Sequence, residues 1–132
     1  MKVSFVDSAH KAFYQKGLEQ AKATGHTPDS YFRAFLYLCG LCPDTRSHVQ
    51  SLFDWNEWCI HLEGLAEGWQ TGTTKKITRL AFNLWNGCGA EEPNDTGISP
   101  FFLPDELFCC AFQPYFFEAI RLRFPEYGKI GV

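Results

Sequence analysis

Apolar residues recur along most of this chain with a helical rather than a strand-like period. Across residues 7–24, Ala9, Phe13, Leu18 and Ala21 lie at near-helical spacing opposite a lysine-bearing face, and Tyr14 broadens the stripe. That pattern predicts an amphipathic helix, with Asp7 or Ser8 as its cap and Gly25 as its stop. After the turn Thr27-Pro28-Asp29-Ser30, residues 31–39 are apolar almost all round. They predict a central buried helix, and periodicity alone leaves a buried strand as the alternative.

Gly40 and Pro43 end that run, and Asp44 or Thr45 can cap a short helix reaching Leu52. A turn is expected around Asp54-Trp55-Asn56. Leu62, Leu65, Ala66 and Trp69 fall at i, i+3, i+4 and i+7, which predicts a short helix within 61–70. The clearest helical pattern covers 75–86, where Ile77, Leu80, Ala81, Leu84 and Trp85 share one face, Thr73 or Thr74 can cap the start, and Gly87 stops it. Residues 88–100, with Gly89, Pro93, Gly97 and Pro100, read as a surface loop. Pro104 opens a short helix over 104–110 and Pro114 another through Arg123; Pro125 stops the latter, and a loosely held tail is expected over 127–132. Strand-like alternation is confined to the first six residues and to 57–61. Together these elements predict one all-α domain over residues 1–132, a bundle of about five to seven short helices.

Composition sharpens this picture at one point. With 13 Phe, 5 Tyr and 4 Trp, aromatic residues reach 17%. Large rings bury more area than aliphatic side chains and give a small domain a substantial core. So many rings are hard to hide, and an exposed cluster of them would mark a partner site. A net charge of −3 and a pI near 5.8, with scattered cations, argue against nucleic-acid binding, which needs a concentrated Lys/Arg footprint. Residues 1–7 lack the apolar stretch of a signal peptide, and Gly, Pro and charges interrupt every apolar run, so a cytoplasmic protein without membrane segments is expected. In that compartment the six cysteines are expected to be thiols.

The candidate chemistry is sparse. Cys39-Gly40-Leu41-Cys42 has the C-x-x-C spacing of redox and zinc motifs, but it ends an apolar run and precedes Pro43. A helix C-terminus raises a thiol pKa, so two structural thiols are the better reading. Cys59 and His61 supply further ligand types without a second pair at zinc spacing, which makes Cys39, Cys42, Cys59 and His61 weak metal candidates and leaves no metal or cofactor expected. The segment Trp69-Gln70-Thr71-Gly72-Thr73-Thr74-Lys75-Lys76 superficially resembles a phosphate cradle, yet a helix corner with a capping threonine accounts for it. Arg46, Arg79 and Asn83 could bind a carboxylate or phosphate; the plainer reading pairs the arginines internally with Asp54, Glu57 or Glu118. The four histidines form no nucleophile-base set, and each reads as a surface or internally satisfied residue.

Taken together, Trp69-Gln70-Thr71-Gly72-Thr73, the run Thr78-Arg79-Leu80-Ala81-Phe82-Asn83-Leu84-Trp85-Asn86-Gly87 and the segment Cys109-Cys110-Ala111-Phe112-Gln113-Pro114-Tyr115-Phe116 resemble a family of small uncharacterised bacterial proteins. The resemblance implies no activity and transfers no catalytic residue. It does raise one possibility, an inhibitor of a host defence protein encoded on a phage or other mobile element. The function expected from the sequence is a non-catalytic helical module that binds another protein or itself, through Trp69, Gln70, Thr71, Thr73, Arg79, Asn83, Arg46 and Tyr115, with rings of 112–117 and Trp55 or Trp58 completing the surface. The alternatives are a small enzyme or ligand-binding domain using Arg46, Arg79 and Asn83, and a cysteine-ligated zinc protein.

Overall fold

In the chain's structure, a computed structural model describing all residues except Met1, Lys129 and Val132, helix dominates. Among the described residues there are seven α-helices: α1 (Ser8–Ala23), α2 (Ser30–Cys39), α3 (Pro43–Ser47), α4 (Val49–Leu52), α5 (Gly72–Asn86), α6 (Pro104–Leu107) and α7 (Gln113–Arg123). Three 3₁₀ turns and a two-stranded hairpin, β1 (Phe53–Asp54) with β2 (Cys59–Ile60), complete it.

The central element is α2. Asp29 caps it by accepting the Phe32 amide at 2.9 Å, and every residue from Ala34 to Cys39 is buried. Its apolar circumference can be covered only if neighbours pack on several sides, and α1, α5 and α7 all do so. Each of its large side chains then contributes about 1.5–3 kcal/mol by burial. This settles residues 31–39 as helix rather than strand.

Two glycines set how closely α1 approaches α2. A Cβ on Gly17 would lie 2.5 Å from Leu36 Cδ2, and one on Gly40 would lie 2.7 Å from His10 Cδ2. Gly40 itself has an ordinary right-handed φ of −85°. It is therefore glycine for space, not for conformational freedom. The buried stripe of α1 runs through His10, Tyr14, Gly17 and Ala21, with Phe13 and Leu18 only half-buried and Ala9 exposed. The expected stripe is rotated because close packing admits Gly17 and a fully bonded histidine, which an apolar-residue pattern does not count.

Other boundaries shift for local reasons. Pro43 takes the first turn of α3, so Cys42 rather than Asp44 or Thr45 precedes it, and the stretch to Leu52 is two short helices broken at His48. Thr71 rather than Thr73 or Thr74 caps α5: it accepts the Thr74 amide at 3.2 Å while Thr74 Oγ1 accepts the Thr71 amide at 2.7 Å. The segment 61–70 contains a 3₁₀ turn, Leu62–Ala66, instead of an α-helix. Residues 2–6 form no strand; Ser4 and Val6 are bonded instead to side chains of α1, α2 and α7.

Around the hairpin, Phe53 meets the rings of Phe32, Phe35, Trp55, Trp58 and Trp85 at centroid distances of 5.1–5.8 Å. Trp58 holds the hairpin turn with a left-handed φ of 57°, a conformation that costs a non-glycine residue about 1–3 kcal/mol. Stacking on His26 at 3.9 Å and on Phe32 at 4.6 Å fixes it there. Arg123, at the far end of α7, donates to the Leu84 carbonyl and lies 3.5 Å from the Tyr31 ring centroid, tying α7 to α5 and α2.

Candidate functional site

The residues singled out by sequence do not converge. Arg46 donates to the Gly40 carbonyl at 2.8 Å, and Asn83 donates to the Cys88 carbonyl at 3.0 Å. Arg79, only 9% exposed, forks onto Glu91 through Nε at 2.9 Å and Nη2 at 2.5 Å and lies 4.8 Å from the Phe101 centroid. Its partner thus comes from the connection between α5 and α6, not from Asp54, Glu57 or Glu118.

The 69–79 corner is likewise bonded internally. Gln70 Nε2 donates to the Gly64 carbonyl and to Thr78 Oγ1, and Gln70 Oε1 accepts from Thr74. Trp69 stacks on His48 at 4.3 Å and donates its indole N–H to Glu67. Thr71 is used as the cap, and Thr73 is exposed on the first turn of α5. Trp55 and Trp58 do not join an outer surface: Trp55 is buried, and Trp58 is half-buried in the ring cluster.

The cysteines and histidines are also dispersed. Cys39 is fully buried, and burial drives its thiol pKa far up, so it is inert at neutral pH. Cys42 faces Thr45 Oγ1 at 3.4 Å, Cys59 is exposed on β2, and His61 lies 3.8 Å from Asp54. Two backbone N–H groups, from Glu57 and Asn56, hold the Asp54 carboxyl below its usual range. Among the described residues no three His, Cys, Asp or Glu side chains gather at metal-binding distance.

An open surface lies on the outer face of α7. Phe116 and Ala119 turn inward, while Phe117 is 46% exposed. Phe117, Ile120, Arg121 and Phe124 continue onto Tyr127 and Ile130 to line an apolar groove of about 560 Å³. Beside it, Ser4, Tyr115, Phe117, Glu118 and Arg121 line a more polar depression of about 430 Å³. A third, of about 450 Å³, runs past Val3, Tyr14, Arg33 and Arg121. Arg121 borders all three. It is anchored through Nη1 to Glu118 Oε1 at 3.2 Å, its one side-chain hydrogen bond among the described residues.

Of the sequence candidates, Tyr115 and, from the 112–117 ring segment, Phe117 line this face. Ile120, Phe124, Tyr127 and Ile130 were not among the candidates: the pattern alone does not say which side of this helix faces outward, and Tyr127 and Ile130 fall in the expected loose tail. A signal was present: Phe117, Ile120 and Phe124 repeat at i, i+3 and i+7, a second apolar stripe beside Phe116 and Ala119.

Beneath this face, residues 3–6 are strapped down by side chains of three helices. Glu118 Oε2 accepts the Ser4 amide at 2.7 Å, and Tyr37 donates its hydroxyl to the Ser4 carbonyl at 2.6 Å. His10 Nδ1 accepts the Val6 amide at 3.1 Å. Because that amide can only donate, Nδ1 is the unprotonated nitrogen, and Nε2 donates to the Tyr37 carbonyl at 2.8 Å. Phe5 packs edge-on to His10 at 5.1 Å and contacts Tyr14 and Tyr37. Burial, reinforced by the Glu118 charge, holds the Tyr37 phenol far above its usual range.

No helix among the described residues is long and apolar enough to cross a membrane. No curated protein and no solved structure matches the chain. A family model covers residues 1–131, and the chain therefore belongs to DUF6075, a family of unknown function.

Proposed function

We propose that this chain is a non-catalytic helical module that acts by binding another protein through the outer face of α7. The observation that carries this reading is the contrast between two sets of side chains. Arg46, Arg79, Asn83, Gln70 and Cys39 are engaged or buried within the fold, whereas Phe117, Tyr127 and Ile130 stand 46%, 80% and 95% exposed along one apolar groove. Exposed apolar surface of this kind, with a cation at its edge, suits a partner segment that offers apolar anchors and an acidic residue opposite Arg121.

The test replaces both outer rings in F117D/Y127D, positions exposed enough that folding is retained. Proteins held by the native chain and lost by the variant are identified, purified and rebound, and light scattering measures self-association of both forms. The expected result is a purified partner, or a second copy, whose binding weakens at least about tenfold in the variant, the scale of losing one interfacial anchor. Equal binding by both forms, or no association by either, removes this reading.

A further inference from the structure

We propose that residues 3–6 form a strap whose closure is governed by His10: the neutral imidazole holds the strap shut, and the protonated ring releases it. The geometry leaves His10 no alternative role. It is wholly buried, Nδ1 accepts from the Val6 amide, and Nε2 donates to the Tyr37 carbonyl. A second proton would turn Nδ1 into a donor aimed at the Val6 N–H, setting donor against donor around a ring closed off from bulk solvent. On its Cδ2 side the ring is crowded by Gly40, where even a methyl group would lie 2.7 Å away.

The surroundings do little to soften that conflict. Desolvation outweighs the rest: the Tyr37 carbonyl and then Asp7, the cap of its own helix, favour the charged ring, and from α3 Arg46 opposes it. Tyr14 on α1 and Tyr37 on α2 are phenols held neutral, with pKa values raised by burial. From α7, Glu118 faces the strap at Ser4 and acts on Tyr37. Desolvation is the largest influence on His10 and lowers its pKa below the usual 6.5. With the strap open and the ring wet, His10 titrates nearer that usual value. Closure is therefore undiminished above pH 6.5 and is lost progressively as pH falls below it.

The strap is otherwise lightly held. Ser4 is exposed, Val3, Phe5 and Val6 are only half-buried, and its described bonds run to three side chains, not to a sheet. Release would leave Glu118 Oε2, the Tyr37 hydroxyl and the slot of Phe5 facing solvent beside the depression that Ser4 now lines. The device goes beyond the partner-binding reading and holds with or without a partner on α7.

The test is an NMR titration of the native chain from pH 8 to 4.5. It follows the His10 ring nitrogens together with the heteronuclear NOEs of Ser4, Phe5 and Val6. The expected result is rigid-backbone values at pH 8 that collapse with the midpoint of the His10 ring, while Ala81 and Phe82 in α5 stay rigid. In H10Q, whose amide oxygen can still accept from Val6, the collapse disappears; in E118Q, which keeps an acceptor for Ser4, it persists. The proposal is overturned if the strap stays rigid through the His10 titration, if it loosens equally in H10Q, or if α5 loosens with it.

Discussion

Arg79 carries the most exacting electrostatic arrangement in the molecule. Its guanidinium leaves the central face of α5, forks onto Glu91 and lies over Phe101, so the described partners of a nearly buried cation come from the connection that follows its own helix. Breaking one half of such a pair leaves the other charge uncompensated, which costs more than the intact pair contributes. With Glu91 itself 28% exposed, E91Q should lower stability by about 1–3 kcal/mol in urea unfolding, less than for a fully buried pair. R79M/E91Q should recover most of that loss; an E91Q effect within about 0.5 kcal/mol, the ordinary scatter of surface substitutions, would show the pair to be ornamental. At this scale the sequence was partly legible. Asp7 and Asp29 are caps because a short carboxylate before an apolar-periodic run has free amides to accept. The Glu91 partnership and the burial of His10 were not legible, since both depend on how distant segments fold back, and a histidine inside an amphipathic helix counts as polar until its partners are known.

Among the elements, α5 illustrates how a boundary is set by chemistry a few residues wide. Thr71 and Thr74 exchange side-chain and backbone bonds in a capping box, and Gln70 ties that box to Gly64 and Thr78. Thr71→Ala should therefore destabilise the fold by about 1 kcal/mol, read as a lower thermal midpoint, whereas Thr73→Ala, exposed and outside the box, should change little. Equal effects at the two positions would contradict the assigned cap. The apolar face over 77–85 made α5 readable, but four consecutive hydroxyl or glycine positions, 71–74, made its start ambiguous. The 3₁₀ turn Leu62–Ala66 was misread because Leu62 and Leu65 at i, i+3 suit a 3₁₀ repeat as well as an α-helix. Close packing decides the matter: a Cβ on Gly64 would lie 2.7 Å from the Ser51 carbonyl oxygen.

For the molecule as a whole, the hairpin is less a sheet than a wedge that drives Phe53 between α2 and α5. Phe53 is 1% exposed and touches rings from α2, α5 and its own turn, so its removal should be felt everywhere at once. Phe53→Ala should cost about 3–5 kcal/mol while unfolding remains a single transition with an unchanged denaturant slope. A biphasic transition would instead mean that the hairpin and the helices unfold separately. The helical class and the aromatic core were legible because composition and period both express burial. Which rings stay outside was not: Trp55 and Trp58 look like exposed turn residues until the wedge turns them inward, and the rings of 112–117 look alike until Phe116 takes the inner side of α7 and leaves Phe117 outside.

The ring cluster also gives the protein a spectroscopic identity. Trp55, Trp58 and Trp85 follow one another at centroid spacings of 6.4 Å and 5.9 Å, near enough for their electronic transitions to mix. Their dichroism is then in part a joint property of the assembled core and changes when any one of the three indoles leaves, most when Trp58, which belongs to both pairs, is removed. Trp69, stacked on the His48 imidazole, stands apart as a separate chromophore whose emission reports on its own corner.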